Sequence, residues 1–99
     1  MVHELKSDSY GFQAVFAGDK TQELRCNDRD YHVMDWVILK ETKWSGDEMK
    51  AGWPLVYTGR AIAALVTHIL YGPMYSLPAG WVILSLKVLY RTTALESRA

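Results

Sequence analysis

The sequence predicts an α+β fold, a small mixed β-barrel of about five or six strands with one early helix. Three observations support this prediction. The chain has 99 residues, 49% of them hydrophobic, which is enough for one domain with one core. Short segments rich in β-branched and aromatic residues recur along the chain, separated by Gly and Pro. Several strands and a single helix at this length fit a small barrel.

The first part of the chain contains a predicted strand, helix and strand. Val2–Lys6 alternates apolar and polar side chains, as a half-buried strand does. Ser7–Ser9 can cap a short amphipathic helix over Tyr10–Ala17, and Gly18 is a typical residue for the C-terminal end of that helix. Thr21–Cys26 is predicted to be the second strand.

Longer strands and two loops follow. The remaining predicted strands are Asp35–Glu41, Tyr57–Leu70 and Trp81–Tyr90. The second of these is predicted to bend at Thr58-Gly59-Arg60. Residues 42–56 and 71–79 carry Gly and Pro and are predicted to be loops. We therefore predict a domain over residues 1–90 and a C-terminal tail over residues 91–99.

The balance of charge limits the classes of function. Eleven Lys and Arg residues against eleven Asp and Glu residues give a formal net charge of +0. Any nucleic-acid binding must then come from a local patch, and strong nonspecific binding is disfavoured. The lone Cys26, with no secretory leader and no long apolar run, predicts a cytoplasmic protein without a membrane segment. The histidines have no metal-ligand spacing, so we expect no metal or cofactor.

The most informative segment is Gly18–Asp30, which places many charged and amide side chains directly after the predicted helix. Glu23 and Arg25 share one face of the predicted strand, because side chains alternate with a period of two. Lys20 lies at the preceding turn and can lean over the same surface. Together they could recognise a polar, planar or phosphorylated ligand. Alternatively, they form a solvated strand edge on which Glu23 and Arg25 pair.

The motif G-x-K-x-x-E-x-R over Gly18–Arg25 resembles the signature of ASCH domains. These are small β-barrels of the PUA-like superfamily that are associated with RNA. Other segments, in the same order, resemble an uncharacterised bacterial and phage family, domain of unknown function 3850. These segments are His3–Lys6, Asn27–Asp30, Asp35–Glu41, Tyr57–Arg60 and Gly80–Ser85. The likeness runs from about residue 2 to residue 88 and implies an ASCH-type, PUA-like barrel.

The resemblance also implies a cationic cleft beside the barrel. Lys20, Glu23 and Arg25 would form its centre. The residues at its margin would be Thr21, Asn27, Arg29 and Arg60. Arg25 could form two hydrogen bonds to a phosphate or a base edge, and Lys20 could supply a point charge. Glu23 could accept a hydrogen bond from a base amino group or simply hold Arg25 in position. The expected partner is RNA or a modified nucleoside.

Two alternatives to a binding module remain open. Some ASCH proteins remove the acetyl group from N4-acetylcytidine with a lysine, a threonine and a glutamate. Lys20 stands where that lysine would, but Glu23 occupies the threonine position, and no acidic residue after Glu48 matches the later glutamate. One alternative is therefore a small amidohydrolase acting on an N4-acylated cytidine-type nucleoside, with Lys20 as the reactive group. The other is a phage or mobile-element accessory protein that binds a host protein through its aromatic loops.

Three local features have two interpretations each. The loop aromatics could stack on bases or close the ends of the barrel; they are Trp44, Trp53, Tyr71 and Tyr75. Asn27–Asp30 is either a binding loop or a turn whose side chains satisfy the local backbone. The related family usually has Gly before the aspartate that opens the next strand, where this chain has Met34 before Asp35. That turn is then built differently, or Met34 sits on an exposed rim.

Overall fold

The computed structural model describes residues 1–93, which form five strands and two helices. In chain order these are β1 (Val2–Asp8), α1 (Ser9–Phe16), β2 (Gln22–Cys26), β3 (Trp36–Thr42), α2 (Gly46–Lys50), β4 (Tyr57–Tyr71) and β5 (Trp81–Thr92). The strand order across the sheet is β1-β3-β4-β5-β2, with β1 and β3 parallel and the other pairs antiparallel. This curled mixed sheet is a half-barrel, which confirms the predicted α+β, barrel-like class, although the prediction of one early helix left out α2.

The sequence-based prediction was wrong for part of residues 42–56, which are not all loop. The segment contains α2, a helix of five residues. Ser45 and Glu48 form a reciprocal capping box, in which each side chain accepts a hydrogen bond from the backbone N–H of the other, at 3.1 and 3.0 Å. The S-x-x-E spacing that builds this box was the overlooked signal. At the other end of the chain, β5 runs to Thr92, so the predicted tail begins inside a strand, and residues 94–99 lie outside the described part.

The turn after α1 sets the position of the candidate site. Asp8 caps the helix by accepting a hydrogen bond from the Gly11 N–H at 3.2 Å. The chain reverses at Gly18, whose φ of 85° lies in the left-handed region that glycine adopts without strain. The N–H groups of Asp19 and Lys20 then donate to the carbonyl oxygen of Ala14 at 3.0 and 3.1 Å. These bonds hold Lys20 against the helix.

The apolar core fills the inside of the half-barrel beneath α1. Phe12 and Val15 of the helix are fully buried. They belong to one cluster with inward-facing strand residues, namely Leu5, Val37, Leu39, Ile62, Ala64, Val66, Ile69, Val82, Leu84 and Leu86. The buried positions of β4 shift from 66 to 69 because the register with β5 slips by one residue between Val66 and His68.

The half-barrel is open between its two edge strands, β1 and β2. The Arg25 guanidinium crosses this opening, since its NH2 group donates to the carbonyl oxygen of Lys6 at 2.7 Å. We call the opening the seam. One side-chain hydrogen bond therefore links two strands that no backbone ladder joins within residues 1–93.

The turn before β3 has a glycine-type backbone although its residue is methionine. Met34 has a φ of 78° and is 66% exposed, so the predicted alternative of an exposed rim is confirmed. The next residue, Asp35, accepts a hydrogen bond from the His32 N–H at 2.9 Å and pairs with His3 Nε2 at 2.8 Å. The hydrogen bond with His3 is the main cause that lowers the pKa of Asp35 to about 2.

Neither helix of the described chain is long and apolar enough to cross a bilayer.

Candidate ligand-binding site

The three side chains at the centre of the predicted cleft meet in the structure. Lys20 Nζ lies 3.5 Å from Glu23 Oε1, and the Arg25 NH2 group donates to Glu23 Oε2 at 3.1 Å. We call these residues the Glu23 cluster. The Glu23 side chain is only 7% exposed, so it is a buried carboxylate between two cations and not part of a solvated edge.

The pairing of β2 with β5 explains why Glu23 is buried. In this register Glu23 lies opposite Leu84 and Arg25 lies opposite Val82. Directly opposed residues of an antiparallel pair point to the same face, and both of these β5 residues are fully buried. Glu23 and Arg25 therefore face the interior.

The Glu23 cluster is incompletely hydrogen-bonded. Oε1 of Glu23 and Nε of Arg25 are buried, and neither has a hydrogen-bond partner among residues 1–93. Lys20 is close enough to Oε1 for an ion pair but donates no hydrogen bond to it. Buried polar groups in native proteins are almost always satisfied, and an unsatisfied one costs about 1–3 kcal/mol. The cluster therefore retains unused capacity to bind a polar group.

A cleft of about 690 Å³ lies beside the cluster, against α1. We call it the helix cleft; it is lined by Tyr10, Gly11, Gln13, Ala14, Ala17, Asp19 and Lys20. Tyr10 is 94% exposed, so its ring stands free beside the cleft. A side chain at Gly11 would place its Cβ 3.8 Å from Lys20 Nζ and 4.0 Å from Ser7 Oγ. Glycine at this position keeps the space around the Lys20 ammonium open.

Sequence reasoning missed Tyr10 and Gly11 as residues of the helix cleft, and Ser7 as a neighbour of Gly11. Ser7 is buried because the inward positions of β1 run His3, Leu5 and Ser7. Alternation along β1 was therefore the signal in the sequence that places the Ser7 hydroxyl on the inward face. The exposure of Tyr10 depends on which face of α1 packs on the sheet. The apolar spacing along this short helix did not determine that face.

The residues predicted at the margin of the cleft occupy different places. Thr21 is exposed, and its carbonyl oxygen accepts from the Leu86 N–H at 2.8 Å. Asn27 is exposed, and its N–H donates to the Gly80 carbonyl oxygen at 2.8 Å. Arg29 lines a separate pocket at the seam. None of the three contacts the Glu23 carboxylate within the described residues.

Arg60 belongs to a second buried ion pair. Its Nε and NH2 groups donate to the two oxygens of Glu41 at 2.8 Å each, and Thr58 Oγ1 donates to the same carboxylate at 2.6 Å. We call these three residues the Glu41 cluster. Hydrogen bonding from Arg60 is the main cause that lowers the pKa of Glu41. Arg60 does not line the helix cleft, but its NH2 group donates to Oε1 of Gln13, a lining residue, at 3.0 Å.

A smaller pocket of about 270 Å³ opens at the seam. We call it the seam pocket; it is lined by Leu5, Lys6, Arg25, Cys26, Asp28, Arg29 and Tyr31. Tyr31 is 3% exposed, and burial raises the pKa of its hydroxyl. Within residues 1–93, no group of three or more His, Cys, Asp or Glu side chains is placed to hold a metal ion.

Comparison with known proteins assigns the chain to a family. The profile described as "Domain of unknown function (DUF3850)" matches residues 2–86. The chain belongs to this family. The DUF3850 match includes the Glu23 cluster, the Glu41 cluster and the seam pocket, and it confirms the predicted resemblance to that family. A search of curated proteins finds no match.

Proposed function

We propose that this chain is an ASCH-type, PUA-like module that binds RNA or a modified nucleoside in the helix cleft. The observation that carries the proposal is the buried Glu23 carboxylate, whose Oε1 accepts no hydrogen bond from residues 1–93. A ligand that donates to this oxygen would remove the cost of leaving it unsatisfied.

The chemistry of Glu23 indicates which ligand group it would contact. An ionised carboxylate only accepts hydrogen bonds, so its partner must carry N–H or O–H groups. The exocyclic amino group of cytosine is such a donor, and carboxylates are among its usual partners. Lys20 lines the helix cleft and stands 3.5 Å from Oε1. A base in the cleft would therefore reach Glu23 when the flexible Lys20 side chain moves aside.

The walls of the helix cleft suit a planar ligand. Tyr10 offers a free aromatic ring, and stacking of a base on such a ring contributes about 1–3 kcal/mol. Lys20 supplies a compact positive charge for a carbonyl or phosphate oxygen of the ligand. With a formal net charge of +0, the chain has no extended basic track, which favours one nucleoside or a short RNA segment.

Calorimetric titration of the wild-type chain, Glu23→Gln and Glu4→Gln tests the proposal. The ligands are cytidine, N4-acetylcytidine and a short single-stranded RNA, each at low and moderate salt. We expect saturable binding that is weakened about tenfold or more in Glu23→Gln, because a hydrogen bond to a charged group is lost. Glu4 is an exposed carboxylate of β1, so its variant should bind like wild type. Binding that is equal in all three proteins would contradict the proposal.

Glu23→Gln is a sharper variant than Arg25→Ala, which also removes a structural contact. Arg25 donates to the Lys6 carbonyl oxygen across the seam as well as to Glu23. Loss of binding in Arg25→Ala would therefore need a check that the half-barrel stays folded.

The sample with N4-acetylcytidine also tests the amidohydrolase alternative. Catalysis by a lysine nucleophile or base needs a free amine, whereas Lys20 is engaged in an ion pair with Glu23 at 3.5 Å. We therefore place binding ahead of turnover. Acetate release that disappears in Lys20→Ala would support the hydrolase, and release that survives in this variant would rule out the lysine mechanism.

A flat response to every ligand would favour the remaining alternative, a host protein as partner. Trp44 and Trp53 pack against each other with ring centroids 4.4 Å apart, and Trp53 is half-exposed. In that case replacement of Trp53 should disrupt the complex, while Glu23→Gln should leave it intact.

A further inference from the structure

We propose that the seam pocket is a binding site for a phosphate group, separate from the helix cleft. The phosphate is either an inorganic ion or a phosphate of a nucleotide or a nucleic-acid backbone, since all three present the same oxygens.

The seam pocket has a local excess of positive charge. Lys6, Arg25 and Arg29 line it with one carboxylate, Asp28, and the charge of Arg25 is paired with Glu23. Lys6 and Arg29 form no ion pair within residues 1–93. In a chain with a formal net charge of +0, this is a local excess of positive charge, which attracts an anion.

Arg25 is held in place before any ligand arrives. Its NH2 group donates both to Glu23 on β2 and to the Lys6 carbonyl oxygen on β1. The side chain is 23% exposed and forms part of the pocket wall. A planar guanidinium fixed in this way loses little conformational entropy when it binds an anion.

The Tyr31 hydroxyl is a free donor in the pocket. Tyr31 is 3% exposed and lines the pocket, and its hydroxyl is not fully buried and donates no hydrogen bond to any residue in 1–93. Its ring contacts the ring of His3, with centroids 4.8 Å apart, which fixes its position. A phosphate oxygen in the pocket would accept a hydrogen bond from this hydroxyl, and a hydrogen bond to a charged group is stronger than one to a neutral group.

The size of the pocket favours a phosphate over a complete nucleotide. Its volume of about 270 Å³ lies just below the range of about 300–1,000 Å³ that holds drug-sized ligands. A phosphate group with a few waters fits this space, while any attached sugar and base would extend outside it.

Titration of the 15N-labelled full chain with inorganic phosphate, followed by NMR, tests the inference. The buffer contains no phosphate, and the ionic strength is held constant with chloride. We expect saturable shifts of backbone amides in residues 25–31. Tyr31→Phe removes only the hydroxyl and keeps the ring contact with His3, so it should fold normally and bind phosphate about tenfold more weakly.

Two more variants separate a specific site from general charge. Arg29→Gln should also weaken binding about tenfold, because it removes a charged partner of the anion. Lys87→Gln removes an exposed cation of β5 outside the pocket and should bind like wild type. Shifts that stay linear with phosphate, or a Tyr31→Phe variant that binds as tightly as wild type, would overturn the proposal.

Cytidine 5′-monophosphate and a short RNA, compared with cytidine, identify the source of the phosphate. Tighter binding of the phosphorylated ligands, lost in Tyr31→Phe, would assign the pocket to a nucleotide or RNA phosphate. Binding of inorganic phosphate alone would assign it to the free ion. Tyr10→Ala separates this inference from the proposed function. Tyr10 lines the helix cleft and not the seam pocket, so the variant should impair nucleoside binding but leave the Tyr31-dependent phosphate shifts in place.

Discussion

The Glu23 cluster and the Glu41 cluster are both built around a carboxylate and an arginine, but they differ in how completely the carboxylate is hydrogen-bonded. Each has a buried carboxylate and an arginine that reaches it from a strand. The Glu41 carboxylate accepts two hydrogen bonds from Arg60 and one from Thr58, all of 2.8 Å or less. The Glu23 carboxylate accepts one hydrogen bond of 3.1 Å, and its Oε1 accepts none within residues 1–93.

This difference separates a stabilising ion pair from a site with spare binding capacity. Arg60 is also fixed from its other side, because it lies over the rings of Phe12 and Phe16 at 5.2 and 4.8 Å. Lys20 is the more exposed partner of Glu23, with 32% of its side chain accessible, and it lines an open cleft. We infer that the Glu41 cluster secures α1 to the sheet, while the Glu23 cluster is available to a ligand.

The largest expected effect is on stability, in Glu41→Gln. Removing one member of a buried, hydrogen-bonded ion pair leaves the other charge poorly solvated, and we expect the free energy of unfolding to fall by about 3 kcal/mol. Urea unfolding followed by circular dichroism measures this change. A loss below 1 kcal/mol would remove the contrast between the two clusters.

Acid should reduce stability through Glu41 and Asp35. Both carboxyl groups have pKa values below their ordinary ones, so their contribution is present above the ordinary pKa and is lost as the pH falls through the folded-state pKa. For Asp35, which is paired with His3, this window runs from pH 3.8 to about 2.

The measurement is urea unfolding over a series of pH values. Glu41→Gln and Asp35→Asn should each lose less stability on acidification than wild type does. The same pH dependence in wild type and both variants would show that neither group contributes.

A moderate effect is expected from Arg25→Lys, which tests whether the seam needs a guanidinium. Lysine keeps the charge, but its side chain is shorter and lacks the planar guanidinium whose NH2 group contacts both Glu23 and the Lys6 carbonyl oxygen. We expect a loss of about 1 kcal/mol in stability, together with weaker phosphate binding. Lys87→Arg is a control at an exposed position of β5, and it should leave both unchanged. Wild-type behaviour of Arg25→Lys in both assays would mean that charge alone suffices.

The smallest effect on stability is expected from Gly11→Ala. The added methyl would meet its nearest neighbours at 3.8–4.0 Å, which is ordinary contact, and alanine favours a helix over glycine by up to about 1 kcal/mol. The variant should therefore be as stable as wild type or slightly more stable. It should bind the ligand of the helix cleft more weakly, because the methyl occupies space beside Lys20. Unchanged binding would place the ligand elsewhere.

The sequence was sufficient to predict those parts of the site that depend on local geometry. A period of two placed Glu23 and Arg25 on one face, and the glycine turn placed Lys20 beside them. The partnership of Glu41 with Arg60 could not be read from the sequence, because it depends on how two strands pair around an irregularity at Lys40–Thr42. Alternation along β3 places Glu41 on the same face as Val37 and Leu39, but the apolar run Trp36–Leu39 does not show which face is buried.

The seam pocket was harder to predict for a similar reason. Arg29 and Tyr31 follow β2, while Lys6 lies on β1, and the curl of the whole sheet brings these edges together. A sequence pattern shows which face a side chain occupies, but it does not show how strongly a sheet curls.

Urea unfolding of Glu23→Gln, beside wild type and Glu41→Gln, tests the central claim most directly. If the Glu23 cluster is kept for binding, the free energy of unfolding should change by less than about 1 kcal/mol, because the variant removes a buried charge that was incompletely satisfied. A loss of about 3 kcal/mol, equal to that of Glu41→Gln, would show that Glu23 is a structural ion pair and would contradict the account.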